Sequence, residues 1–369
     1  MESRSNNNTY EMRLTTSAAA FLAYLITFIQ ADADDIAAGH HIIWSYPGPN
    51  IPDDLVAAAR DGKVSGVIFY SENIDKANDL PRQIRNLQNV YRHSPSYPGY
   101  PLLLVTDQEG GIVNRLPGGP STSAKSIGSS SDPLSSATQA GQTVAQIFSQ
   151  FGINGDLAPV LDVHRNENDF TDREQRSFSS DPHIVSSSAA AWISALQAQN
   201  YPATAKHFPG LGAAAADQNT DLKPVTINLS ADELRGKDML PYIAAINQSN
   251  VKMIMTSWAV YPALDSDNPA GLSGNIVQGE LRQRLGFRGV TITDALEAGS
   301  IKALGGTGDL AVRAVQAGMD IVLASVRLVS QGQEAHDGIV KALREGRIDR
   351  GEFDAATQRI VDLRRSLPQ

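Results

Sequence analysis

GVTITD (residues 289–294) is an apolar, β-branched run closed by an aspartate. It does not alternate apolar with polar, as a strand wet on one face would, so it suits a parallel strand buried on both faces. The same form recurs along the chain in HIIWSY (41–46), GVIFY (66–70), LLLVTD (102–107), GDLAPVLDV (155–163), ATAKHF (203–208), KMIMTSW (252–258) and DIVLAS (320–325). Helical stretches separate these runs. SSATQAGQTVAQIFSQFG (135–152) ends on Gly152 as a stop, and LSADELRGKDMLPYIAAINQ (229–248) starts on Ser230 as a cap. Eight strand–helix units predict a (β/α)8 TIM-type barrel, read as one domain over residues 34–369. The alternative, a doubly wound open sheet, lacks support because no G-x-G-x-x-G follows the first strand.

Composition narrows the function classes. The 369-residue chain is 41% hydrophobic and 19% charged, as a soluble globular protein is. A formal net charge of −9 argues against nucleic-acid or anionic-membrane partners. The absence of cysteine excludes thiolate metal sites, cysteine nucleophiles and disulfides. No metal or organic cofactor is implied, since His164 and His183 lack ligand-like spacing. Residues 1–33 read as a leader: Arg13, an apolar run from Ala18 to Phe28 and Ala31-Asp32-Ala33 form the layout of a secretory signal peptide. The mature chain is therefore expected outside the cell without a membrane anchor. The sequons at Asn228 and Asn247 fit that route and add little to it.

In a barrel, reactive groups project from the C-terminal ends of the strands. Here those ends carry Asp107, Asp162, Lys206, His207, Trp258 and Asp294. Asp294 is a carboxylate available to attack an anomeric carbon, already ionised at neutral pH. Asp294 and Glu297 also have the spacing of a helix capping box, the bland alternative. In DQEGGIVNRLPG (107–118), paired glycines permit a tight turn that points Asp107 and Arg115 into one pocket, where they suit vicinal sugar hydroxyls or pair with each other. Lys206 and His207 add donors on the opposite wall, and Arg176 reaches in from the loop after the fourth strand.

DQEGGIVNRLPG, LAPVLDV, QRSFSSDP, KHFPGLG, MTSWAVYPALD and GFRGVTITDALEAGSI occur in an order that resembles glycoside hydrolase family 3. The likeness is to its single-domain β-N-acetylhexosaminidases and runs from about residue 36 to the end. It implies a retaining mechanism on chitin- or peptidoglycan-derived oligosaccharides, in which Asp294 forms a glycosyl-enzyme that water then hydrolyses. It also implies that Asp107, Arg115, Arg176, Lys206 and His207 hold the N-acetylglucosamine unit, with Asp162 supporting them.

One segment departs from the family. The loop after the fifth strand in these enzymes reads K-H-F-P-G-H-G-D-x-x-x-D-S-H, its last Asp and His forming the acid/base dyad. Those two positions are Asp217 and Asn219 here, the earlier loop His is Leu211, and Ala295 replaces the second acid of the nucleophile segment. An amide does not titrate near neutrality, so Asn219 cannot be the acid. Asp221 or Asp217 is expected to take the role, with His164 and Glu174 as outside candidates. The alternatives are a glycosidase or phosphorylase with weak acid assistance, a β-glucosidase, and a catalytically silent sugar-binding barrel. Loss of positioned acid catalysis costs roughly 10²–10⁴-fold.

Overall fold

The computed structural model describes residues 33–74 and 79–368. Apart from residue 33, the expected leader lies outside the described residues. Among them, no helix is long and apolar enough to cross a membrane.

Eight short strands form one parallel sheet: β1 (Ile42–Trp44), β2 (Gly66–Ile68), β3 (Leu103–Thr106), β4 (Gly155–Asp156), β5 (Thr204–Phe208), β6 (Met253–Thr256), β7 (Val290–Ala295) and β8 (Ile321–Leu323). Their order is β4-β3-β2-β1-β8-β7-β6-β5. The two end strands then meet. Val160 bridges Lys206 in parallel, Thr204 N–H donates to the Ala158 carbonyl at 2.9 Å, and Leu161 N–H donates to the Lys206 carbonyl at 2.6 Å. Those bonds close the barrel and leave no sheet edge exposed. The expected (β/α)8 architecture is the one found.

A main helix follows each strand: α1 (Asp53–Arg60), α2 (Leu80–Arg92), α3 (Pro133–Phe151), α4 (Pro182–Gln197), α5 (Leu240–Asn247), the π-wound α6 (Asn275–Arg284), α7 (Thr307–Ala317) and α8 (Val329–Arg344), with shorter helical turns at Ala124–Gly128 and Phe170–Arg173 and a helix over 33–39 ahead of β1. Another long helix, α9 (Arg350–Arg365), comes last among the described elements. Local chemistry sets several of these ends. The Asp132 side chain accepts from the Ser135 N–H ahead of Pro133, and Gly152 stops α3 in the left-handed conformation at φ 80°. The stretch expected as one helix over 229–248 is broken. Ser230 and Glu233 form a capping box for a single turn, a π-wound segment follows at Leu234–Asp238, and α5 starts one residue before Pro241. Pro241 brings no N–H, so an unbroken ladder cannot run through it.

Burial on both faces explains the continuous apolar runs. Along β3, Leu103 and Val105 point into the barrel with Ile43, Met255, Ile292 and Leu323. Leu104 and the preceding Leu102 point outward to the helix layer. Ile360, Leu363 and Leu367 at the chain's end pack on the inner set and plug one mouth of the barrel. The site lies at the other mouth, where the strands end.

Candidate active site

The β3 end turns directly into a small hairpin, Gln108–Gly110 paired antiparallel with Val113–Asn114. Extended backbone alternates its side chains, so Asp107 and Glu109 face the cavity while Gln108 faces away. Lys206, 2% exposed at the β5 end, lies 2.7 Å from both Asp107 Oδ1 and Glu109 Oε1. Arg176 donates to Glu109 through Nε and Nη2, both at 2.8 Å, in a bidentate fork. Two acids thus balance two cations in a largely dry cluster. Burial opposes the charges of Glu109, Lys206 and Arg176, but their partners outweigh it. Arg176 and Lys206 hold the Glu109 carboxyl well below the usual carboxylate range. Asp107 and Glu109 hold the Lys206 ammonium above its ordinary pKa, and Glu109 does the same for Arg176.

His207 is the next residue, and the Lys206–His207 peptide bond is cis. Both side chains line the cavity. His207 Nδ1 lies 2.8 Å from Oδ2 of Asp162, which is fully buried. A carboxylate only accepts, so Nδ1 carries the proton and Nε2 is left for a ligand. Asp162 Oδ1 also accepts from the Leu211 N–H at 2.7 Å, tying the start of the β5 loop to the same carboxylate.

Asp294 is half-buried near the end of β7 and lines the same cavity, of about 360 Å³. The chain turns after Ala295 and no helix starts at Asp294, so the capping-box alternative is not what forms. Its Oδ1 accepts from the adjacent Ala295 N–H at 2.8 Å, and Glu297 instead accepts from Ser325 Oγ at 2.8 Å and Gln331 Nε2 at 3.2 Å. Burial raises the Asp294 pKa and the charge of Asp221 adds to the rise, while His207, the Ala295 N–H and Lys206 pull against it.

The β5 loop brings Asn219, Thr220 and Asp221 to the cavity. Gly299 N–H donates to the Asp221 carbonyl at 2.8 Å and Ser300 N–H to the Thr220 carbonyl at 3.0 Å, so the loop's tail is pinned to the segment after β7. A side chain at Gly299 would stand 2.3 Å from the Leu222 carbonyl oxygen, which is why that contact needs glycine. Asp217 is not brought in: its carboxylate is 77% exposed and pairs with Lys223 at 2.8 Å. His164 and Glu174 do not line the cavity either. His164 Nδ1 lies 3.0 Å from the Ser177 hydroxyl and Glu174 pairs with Arg173. Arg115 does line it, and its buried Nε has no partner among the described residues, whereas Asp107 pairs with Lys206. Trp258 is buried and braces β7 by donating from Nε1 to the Ala295 carbonyl at 2.8 Å.

Sequence reasoning missed Glu109, Tyr70, Glu297, Ser325 and Arg327, all on the cavity wall. The signal for Glu109 was period-two spacing from Asp107. Tyr70 and Ser325 close two of the apolar runs quoted above, and the strand-end rule reaches them. Arg327 stacks over the Tyr70 ring, 4.8 Å from its centroid. Among the described residues, no cluster of three or more His, Asp or Glu side chains is arranged to hold a metal ion.

The profile of the glycosyl hydrolase family 3 N terminal domain matches residues 35–363. An uncharacterized secreted glycosyl hydrolase of Arthroderma benhamiae is 47% identical over 332 residues, covering 90% of this chain and 93% of that one. Beta-hexosaminidase A of Pseudoalteromonas piscicida is 29% identical over 340 residues, covering 86% of this chain and 56% of its own. The chain thus spans little more than half of that relative. Among solved structures, a family 3 β-N-acetylglucosaminidase from Paenibacillus sp. superposes with a TM-score of 0.83 at 28% identity, covering 90% of this chain and 62% of that one.

Proposed function

The chain belongs to glycosyl hydrolase family 3, and on that premise we propose that it is a secreted, retaining β-N-acetylglucosaminidase acting on terminal N-acetylglucosamine of chitin- or peptidoglycan-derived oligosaccharides. The observation that carries this reading is one cavity with a carboxylate, Asp294, on one wall and a charge-balanced grip, Asp107–Lys206–Glu109–Arg176, on another. Acids and cations alternating in a dry cluster present both acceptors and donors, which suits vicinal hydroxyls. Arg115, with its unpartnered Nε, and His207 Nε2 add further contacts to the sugar in subsite −1.

In the proposed reaction the second Asp294 oxygen attacks C1 while Asp221 gives a proton to the departing oxygen. A glycosyl ester forms and the aglycone leaves as an alcohol. Water then attacks C1 as Asp221 takes its proton back, freeing the sugar and the Asp294 carboxylate. Asp221 is preferred to Asp217 because it lines the cavity and its charge acts on Asp294, whereas Asp217 faces solvent. Retention of a placed carboxylate opposite the sugar grip favours turnover over silent binding. Secretion follows the layout of residues 12–33 and the relative described as secreted.

The test is a side-by-side assay of an aryl N-acetylglucosaminide and the matching aryl glucoside. The proposal expects clear preference for the N-acetyl substrate. Equal or reversed preference makes the protein a glucosidase, and binding without release of the aryl group makes it a lectin-like barrel.

A further inference from the structure

Gln108 is fully buried and takes no place in the cavity, yet its amide is saturated. Nε2 donates to the Leu116 carbonyl at 3.0 Å and to the Gly119 carbonyl at 2.6 Å, while Oε1 accepts from the Leu116 N–H at 2.9 Å. The Asn114 amide abuts the same group. Gln108's own N–H is held by Asp156 Oδ1 at 3.1 Å, beneath the cavity. Arg115 lies between Asn114 and Leu116, two of the three residues that the Gln108 amide touches, in an irregular loop with Gly118 and Gly119 at positive φ. Such a loop has no ladder of its own to set a side chain's direction.

We infer that Gln108 is the positioning residue of Arg115: its buried amide grips Leu116 and Gly119 and so sets the guanidinium on the cavity wall. The inference rests on the reading that Arg115 holds the sugar. The strand's alternation makes this division of labour, with Asp107 and Glu109 facing the sugar and the amide between them facing the loop. A buried amide that spends both donors and its acceptor on one loop fixes that loop in a single arrangement.

The experiment compares Gln108→Glu, Gln108→Met, Arg115→Ala and each Gln108 variant combined with Arg115→Ala. Thermal melting first establishes which variants fold. KM and kcat for an aryl N-acetylglucosaminide, and the dissociation constant of N-acetylglucosamine, are then measured across a pH series. Arg115→Ala is expected to raise KM about tenfold or more, as loss of a charge-assisted bond does. Gln108→Glu and Gln108→Met raise it to a similar extent with kcat less affected, and in the Arg115→Ala background they add less than about twofold. Gln108→Glu has a further signature. Its introduced carboxyl cannot donate when ionised but donates one bond when protonated, so its kcat/KM relative to wild type recovers as pH falls. An additional tenfold loss in the Arg115→Ala background, or a relative kcat/KM that does not change with pH, overturns the assignment. Arg115→Ala with unchanged KM and unchanged N-acetylglucosamine affinity overturns it as well. If wild-type protein binds the sugar without turning over, the proposed activity fails, and the dissociation constants alone decide the role of Gln108.

Discussion

Glu109→Gln removes one of four charges in the cluster that grips the proposed sugar. In the native site Asp107 and Glu109 balance Lys206 and Arg176, and Glu109 receives two 2.8 Å bonds from Arg176 and lies 2.7 Å from Lys206. Glutamine keeps the shape but presents one acceptor and one donor, so an N–H is turned toward a cation. The Glu109 and Lys206 side chains are only 5% and 3% exposed, so water cannot make up the loss. Removing one partner of a buried pair costs about 3–5 kcal/mol, and Glu109→Gln is expected in that range. Lys206→Met leaves two carboxylates against one guanidinium and costs a similar amount. The double variant leaves Asp107 with Arg176 and is balanced again, so its loss falls short of the summed singles by about 0.5–3 kcal/mol. Urea unfolding followed by tryptophan fluorescence reads these differences as midpoint shifts at constant slope. Additivity within about 0.5 kcal/mol, or a Glu109→Gln cost under about 1 kcal/mol, refutes the picture of a coupled buried cluster.

Three other outcomes follow from the same geometry. Burial raises the Asp294 pKa above its unfolded value, so ionising it costs stability as pH rises through the folded value. Asp294→Asn should therefore melt above wild type at neutral pH, with the gap closing in acid, and an equal or lower Tm at neutral pH contradicts this. Asp221→Asn should slow unactivated glycosides by about 10²–10⁴-fold and aryl glycosides far less. Equal slowing of both substrates rules Asp221 out. Gly299→Ala sets a methyl 2.3 Å from the Leu222 carbonyl and pushes the Asp221 loop away. Its steady-state profile should resemble that of Asp221→Asn, and wild-type behaviour would show that the pinned loop is irrelevant.

The barrel was legible because strands buried on both faces must be continuously apolar, and eight such runs leave few other architectures. What the pattern could not place was irregular backbone. GDLAPVLDV yields a two-residue strand and a bridge at Val160 because Pro159 has no N–H to give. The hairpin at Gln108–Asn114 follows from a turn too short to show periodicity. Of the strand-end residues, Asp107, Lys206, His207 and Asp294 line one cavity, joined by Arg115, Arg176 and Asp221 from loops, while Asp162 and Trp258 lie behind it, bonded to His207 and the Ala295 carbonyl. Asp217 was a candidate only through loop alignment, and loop spacing says nothing about direction. In the fold it turns to Lys223, four residues before the aspartate that lines the wall. Glu109 lies past the strand end with its partner Arg176 67 residues away, so no local pattern announces the pair.

Asp294, as the proposed nucleophile of a retaining reaction, should carry the sugar covalently during turnover. A 5-fluoro N-acetylglucosaminyl fluoride, which forms the glycosyl-enzyme faster than water releases it, tests this directly when followed by intact-mass measurement and peptide mapping. One glycosyl ester per chain is expected, carried by Asp294 and absent in Asp294→Asn. An ester on another residue, or inactivation without any adduct on the GVTITD peptide, contradicts it.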